Sequence, residues 1–557
     1  MKKLVPRLSG SALTLARLAA ENPATNGLMR DALKRMLGVD DLAQLPESLR
    51  GHLPMDCRPI RARVDTRPRK GDLPPPSGSN WPPRASAYVA AYRTGRTTPL
   101  RVAERALSEL TRLAELRPTM NVVAAMNREL TLGDAEASTR RYAQGSPLGP
   151  LDGVPLLVKD QHDVAGLPTS IGSPSRADVP ARRDATVVAR LREAGAIVLG
   201  KSVLTEWGLS SIGANVHVRM PHNPFDPNRA AGGSSTGSAV GVALGLGPLA
   251  TAGDGGGSIR VPASLNGIFG LKPTFGRISR AGDRFHDSVA VLGPLAVSTV
   301  DLALFLDTVA SAPDPEDEVT AWAPPGSAPH AFASSLTMDV RGLCIGIEEG
   351  EWADASPDLA RAAQDALRAL EARGAVLRSV KIALAVEAAK IGYLTIGSEG
   401  LANSRGEWLA ERGRLGDDLR LSLGALAGIS ALEYLDAQRL RQMLRLQVAE
   451  TMQTADVLAL PCTATSAPRY TERDAASSFT DPKALDGLCR FVFLANLTGL
   501  PAASAPVGSD GSGLPVGLQI VGDAWDESTV LGILAELERQ QVASVRRSPH
   551  AVDLLGD

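Results

Sequence analysis

Gly195-Ala196-Ile197-Val198-Leu199-Gly200-Lys201-Ser202 matches the GxxxxGK[ST] pattern of a phosphate-binding loop to the letter. A working loop of that kind needs a strand before its first glycine and a flexible turn across the four intervening positions. Here the apolar spacing of residues 184–194 predicts a helix, and the intervening positions hold four bulky apolar residues that belong in a core. The stretch therefore reads as helix, then glycine, then buried strand, and nucleotide hydrolysis is rejected. Further short strands are predicted at Leu156-Leu157-Val158, Val457-Leu458-Ala459-Leu460 and Gly517-Leu518-Gln519-Ile520-Val521, and helices over 100–116, 358–373 and 527–540. Alternation of this sort from about residue 87 predicts an α/β architecture, a central mixed but largely parallel sheet covered by helices on both faces.

Outside that region the composition changes. Residues 1–61 predict a helical N-terminal extension, with Leu13, Leu15 and Leu18 in one segment and Leu28, Met29, Leu33 and Met36 in the next. These are expected to pack on the main domain or on a second subunit rather than lie on lipid. Residues 62–86, with scattered arginines and prolines, read as a linker to a domain spanning 87–557. Within that domain, 313–450 reads as a mostly helical excursion that walls or covers a substrate pocket.

The 557 residues are 44% hydrophobic and 22% charged, which suits a globular protein, and the net charge of −2 argues against nucleic acid as a partner. Cys57, Cys344, Cys462 and Cys489 form no CxxC pair, which argues against a zinc site or a disulfide framework and for buried thiols in a reducing compartment. Pro6, Arg7 and Arg17 interrupt any signal-like apolar run, and no stretch reaches the length of a spanning helix. A cytoplasmic protein without integral membrane association is expected.

The chemistry concentrates in Asp254-Gly255-Gly256-Gly257-Ser258-Ile259-Arg260. Three glycines before a serine let several backbone N–H groups turn toward one point, where an oxyanion can be held. A serine nucleophile also needs a base. His162 and His222 lie nearest among seven histidines, but neither has a triad context, and Ser258 lacks the GxSxG elbow of the α/β-hydrolases. Lys159 ends an apolar strand, where burial lowers an amine's pKa enough for it to accept a proton. Ser234 and Ser235, in Gly232-Gly233-Ser234-Ser235-Thr236-Gly237-Ser238, can relay that proton.

In this order the three motifs resemble the amidase signature family of serine hydrolases. The likeness runs from about residue 87 to 540 and includes Pro147-Leu148-Gly149-Pro150-Leu151-Asp152-Gly153-Val154-Pro155, Asn223-Pro224-Phe225-Asp226-Pro227, Gly270-Leu271-Lys272-Pro273-Thr274 and Asn496-Leu497-Thr498-Gly499-Leu500-Pro501. It implies the amidase-signature fold and a Ser-cisSer-Lys triad. Lys159 would be the base, Ser234 the serine after a cis peptide and Ser258 the nucleophile; the interval of 24 residues singles out Ser234 over Ser235. The N–H groups of Gly255, Gly256, Gly257 and Ser258 would hold the oxyanion, with Asp254, Arg260 and Ser235 bracing the loops and no metal or organic cofactor. The implied reaction is hydrolysis of the carbon–nitrogen bond of a small-molecule carboxylic amide through an acyl-enzyme, extending to esters, carbamates or anilides. A homodimer is compatible with this reading.

Two alternatives accompany it. One is the glutaminase subunit of a tRNA-dependent amidotransferase, although its usual Leu-Ala-Arg-Tyr-Asp-Gly stretch is missing around residues 393–402. The other is a catalytically silent scaffold. The family often carries Gly-Thr-Asp-Thr-Gly-Gly-Ser where this chain has Ala252-Gly253-Asp254-Gly255-Gly256-Gly257-Ser258, and Thr236 stands at a usual glycine. Loss of two threonines predicts a roomier or more mobile acyl site. Selectivity is expected from 313–450 and from loops around 205–222, including Trp207.

Overall fold

Val457 and Ala459 enter one hydrophobic core while Leu458 and Leu460 enter a second, so this strand is apolar at both parities because both its faces are covered. The computed structural model describes residues 7–22, 24–51, 56–63, 69–70, 81–324, 332–333 and 336–556. Eleven strands form its main sheet. In chain order they are β1 (Val123–Ala125), β2 (Pro155–Lys159), β3 (Ile197–Ser202), β4 (Leu249–Asp254), β5 (Phe269–Lys272), β6 (Val291–Ala296), β7 (Cys344–Glu348), β8 (Val376–Val380), β9 (Val457–Pro461), β10 (Ala502–Ser509) and β11 (Pro515–Gly522). Across the sheet the order is β8-β7-β9-β11-β10-β5-β6-β4-β2-β3-β1.

The α/β class and the covered sheet match expectation, but the strand directions do not. Only the pairs β7/β8, β7/β9, β2/β4 and β2/β3 are parallel, and the other six neighbouring pairs are antiparallel. Continuous apolar runs report that both faces are covered, not which way a neighbour runs. Direction follows the connections: β10 and β11 are joined by a short hairpin, whereas β2/β3 and β7/β8 are joined through the helices Thr186–Glu193 and Pro357–Glu371. The helices expected over 100–116 and 527–540 are Pro99–Glu115 and Glu527–Arg539.

The 313–450 stretch contributes β7 and β8 to the sheet before it becomes helical through Ala388–Asn403, Arg405–Glu411, Asp417–Leu426 and Ala431–Met452. The Gly195–Ser202 run is a helix end and a strand. Gly195 sits at φ +86, the left-handed position that closes the preceding helix, and every residue of β3 is buried. Lys201 pairs with Asp160 at 2.9 Å and donates to Thr169 Oγ1 at 2.9 Å, so it serves the core and no phosphate cradle.

In the N-terminal extension, helices Gly10–Glu21 and Asn26–Met36 bury Leu13, Ala20 and Leu33 against Leu421 and Ala425. Arg17–Asp417 (3.0 Å), Arg420–Glu21 (2.7 Å) and Lys34–Glu433 (2.9 Å) fasten the same face. Leu15 and Leu18 do not join Leu13 in that contact and are exposed, because positions two and five apart fall on different faces of a helix. The Pro74-Pro75-Pro76 and Ser77-Gly78-Ser79 runs of the expected linker lie outside the described residues.

Candidate active site

Three backbone segments meet at the end of β2. All of β2 is buried, and its last residue, Lys159, directs Nζ to Ser234 Oγ at 2.8 Å and to Gly253 O at 3.3 Å. Burial lowers the amine's pKa to about 7, opposed by the charges of Asp283 and Asp254. An amine so placed is a base near neutral pH. The Gly233–Ser234 peptide is cis, and Gly232 takes φ +77 just before it. A side chain on Gly233 would press on Ser210 O at 2.9 Å, so glycine is needed for the close approach. Ser235 ties the second and third segments together: its N–H donates to Ser258 O at 3.4 Å and its hydroxyl to Gly253 O at 3.3 Å.

Ser258 is the least covered of the three predicted catalytic residues, 8% exposed against 2% for Ser234 and 1% for Lys159. Its hydroxyl has no hydrogen-bond partner among the described residues, so the serine next to solvent is also the one left unengaged. The N–H groups of Gly255, Gly256 and Ser258 likewise have no acceptor among the described residues. Gly257 does not belong with them. Its N–H is committed to Asp254 Oδ1 at 2.7 Å, because the chain turns at Gly257 (φ +99) to wrap that carboxylate.

Asp254 and Arg260 form an ion pair within this loop. Arg260 Nη2 lies 2.9 Å from Oδ1 and Nε 3.0 Å from Oδ2, with both side chains fully buried. Arg260 also donates to Val492 O (2.8 Å), Gln519 Oε1 (2.5 Å) and Asn496 Oδ1 (2.5 Å), while Asn496 Nδ2 donates to Asp254 Oδ1 at 3.0 Å. The guanidinium beside Asp254 holds its carboxyl well below the usual range despite burial. The pair fixes the backbone on both sides of Ser258.

The missing threonines do not leave a roomier site. A methyl on Gly253 would collide with the Gln161 amide, one on Gly255 would come within 2.6 Å of Ile396 Cδ1, and one on Gly256 would run into the Phe493 ring. The volume is filled from other elements. We expect Gly256→Ala to push Phe493 aside at a cost of about 1–3 kcal/mol in stability, with a parallel loss of turnover. Thermal denaturation and steady-state kinetics check this, and an unchanged midpoint with full activity contradicts it.

Neither histidine near the glycine-rich segments touches a site serine. His162 Nδ1 meets Thr251 Oγ1 at 2.9 Å, and burial with nearby Lys159 keeps the ring neutral. His222 Nδ1 meets Pro227 O at 2.6 Å. On the other side of Ser234, a methyl on Gly208 would stand 3.4 Å from both Ser234 Oγ and Phe285. Phe285 packs on an apolar cluster of Ile171, Trp207, Trp408, Leu419 and Leu423, so the helices after residue 388 border the serine loops. Asp283, Ile396 and Phe493 escape a reading of the sequence because they reach the site from segments not read as part of it, and Gln161 escapes it because nothing about a glutamine two residues after Lys159 marks its role.

A hydrolase of carboxylic amides is the class that this sheet and its three converging segments define. The chain belongs to the amidase family: the family model Amidase matches residues 105–531. It is 35% identical to a fatty acid amide hydrolase of Medicago truncatula over 474 residues, 84% of this chain and 78% of that one. It is 34% identical to a glutamyl-tRNA(Gln) amidotransferase subunit of Chloroflexus aurantiacus, over 80% of this chain and 94% of the relative. Among solved structures, a peptide amidase in complex with chymostatin superposes with a TM-score of 0.72 at 27% identity, covering 84% of this chain and 99% of the other. Among the described residues no helix is long and apolar enough to cross a membrane.

Proposed function

We propose that Ser258 is the nucleophile of this amidase, activated through Ser234 by neutral Lys159. Lys159 Nζ draws the proton of Ser234 Oγ, which takes that of Ser258 as Ser258 Oγ bonds to the amide carbon. The carbonyl oxygen becomes an anion held by the N–H groups of Gly255, Gly256 and Ser258. Collapse breaks the carbon–nitrogen bond, the relayed proton leaves on the amine, and water attacks the acyl ester to release the acid. The observation that carries the reading is the buried Lys159 Nζ at 2.8 Å from Ser234 Oγ.

The preferred substrates, on this proposal, are amides with a long apolar acyl chain, and 313–450 supplies the wall they lie against. The apolar cluster beside Ser234 and the 35% identity to a fatty acid amide hydrolase support it. A fluorophosphonate should label Ser258 in the native protein and not in Ser258→Ala, and primary amides of long fatty acids should turn over faster than acetamide. Absence of label, or the reverse chain-length preference, overturns the respective part. The relative from Chloroflexus aurantiacus keeps a second reading, a glutaminase subunit, open to the same assay with glutamine as substrate. A cytoplasmic enzyme is supported by the three buried free thiols Cys344, Cys462 and Cys489; cell fractionation tests that, and light scattering tests the homodimer.

A further inference from the structure

Asp283 meets the catalytic lysine's surroundings from outside the three motifs. The segment after β2 bridges antiparallel to the chain around residue 283, through His162 and Asp283, with Asp163 N–H donating to Gly282 O at 2.9 Å. Gln161 Nε2 donates to both Asp283 oxygens, at 3.1 and 3.2 Å, and both side chains are buried. The N–H groups of Arg284 (2.6 Å) and Phe285 (3.4 Å) add to Oδ1. The same Gln161 amide occupies the space above Gly253, whose carbonyl accepts from Lys159 Nζ. One glutamine thus touches the carboxylate and abuts the residue that holds the amine.

We infer that Asp283 is a positioning residue for the base, biasing where the proton of Lys159 resides through a spacing that Gln161 fixes. This rests on the reading of Lys159 as base. The other charged groups nearby are already engaged. Asp254 is neutralised by Arg260, Lys201 pairs with Asp160, and Arg284 reaches Asp163 at 3.4 Å. His162 is neutral on Thr251, and the His286 ring bonds the Asp283 backbone carbonyl at 3.0 Å. Among the described residues no arginine or lysine forms an ion pair with Asp283. Burial pushes its carboxyl up to about 7, where the amine of Lys159 also sits. With the carboxylate protonated the lysine is free to act as base; with the carboxylate ionised the ammonium is favoured.

Removing the carboxylate's charge therefore lowers the pH at which the lysine becomes neutral. In Asp283→Asn the acidic limb of kcat/KM, and of fluorophosphonate labelling, should move down by about one pH unit, roughly tenfold more activity on that limb relative to the plateau. Gln161→Met removes donors that favour the ionised carboxylate and should move the limb the same way by less. A role in packing alone would lower activity at every pH and leave the limb in place. An unmoved or upward-moving limb in the variants that fold, judged by circular dichroism, overturns the inference; if Asp283→Asn fails to fold, Gln161→Met decides. If Lys159→Met keeps wild-type activity, the base reading falls first. If Lys159→Met is inactive while the limb is unmoved in Asp283→Asn, only this inference falls.

Discussion

Lys159→Met should lower kcat/KM by about 10²–10⁴-fold, the range for removing a positioned base, while changing the pH dependence of stability in the opposite sense. Methionine keeps most of the lysine stem's volume and carries no proton. In the folded protein the amine sits at about 7, below its ordinary 10.5. Between those values the unfolded chain holds a proton that the folded chain has given up, so the lysine's contribution to stability improves as pH rises through that window and is worst at and below pH 7. The variant is accordingly expected to gain stability relative to wild type on going from pH 10 to pH 7. Denaturant melts at the two pH values measure that difference. A variant whose stability tracks wild type at both, with turnover intact, would remove Lys159 from the mechanism and its amine from the buried site.

Arg260→Met should destabilise the fold by about 3–5 kcal/mol, because it leaves the fully buried Asp254 carboxylate without its partner. Wild-type Asp254, held below the usual carboxylate range, contributes stability that is present above the unfolded pKa and lost on acidification. In the variant that dependence flattens. Turnover should fall as well, since Gly257 and Ile259 N–H are anchored on the same carboxylate. Asp254→Asn/Arg260→Met should recover part of the lost stability, as removing both charges costs less than orphaning one. Denaturant midpoints for the two variants decide the matter, and a double variant no better than Arg260→Met contradicts the account.

Legibility in the sequence differs by element. β2, β3, β9 and β11 announce themselves as apolar runs because both faces of the sheet are covered. β8 does not: an edge strand of Val-Leu-Arg-Ser-Val in which no residue is buried carries little signal, and it reads as part of the helical region around it. β7 is short, opens on Cys344, and is lost in the same way. Lys159, Ser234 and Ser258 are legible because the motifs around them have fixed spacing along the chain. Gly257 is grouped with its neighbours in the sequence because three adjacent glycines look alike until its N–H is seen to be taken by Asp254 while those of Gly255 and Gly256 have no acceptor among the described residues. Gln161, Ile396 and Phe493 fill the space left by Gly253, Gly255 and Gly256, and no local pattern around those glycines encodes the side chain that complements them.

The Phe493 ring abuts Gly256 on the loop that carries Ser258 and Gly392 on the helix Ala388–Asn403, and Ile396 of that helix covers Gly255. The loop and the helix are therefore cut to one another's shape, and neither can be exchanged alone. Replacing the 388–403 segment by a different sequence requires matching residues at 255, 256 and 493. A larger side chain at any one of those positions has to be answered by a smaller one across the contact.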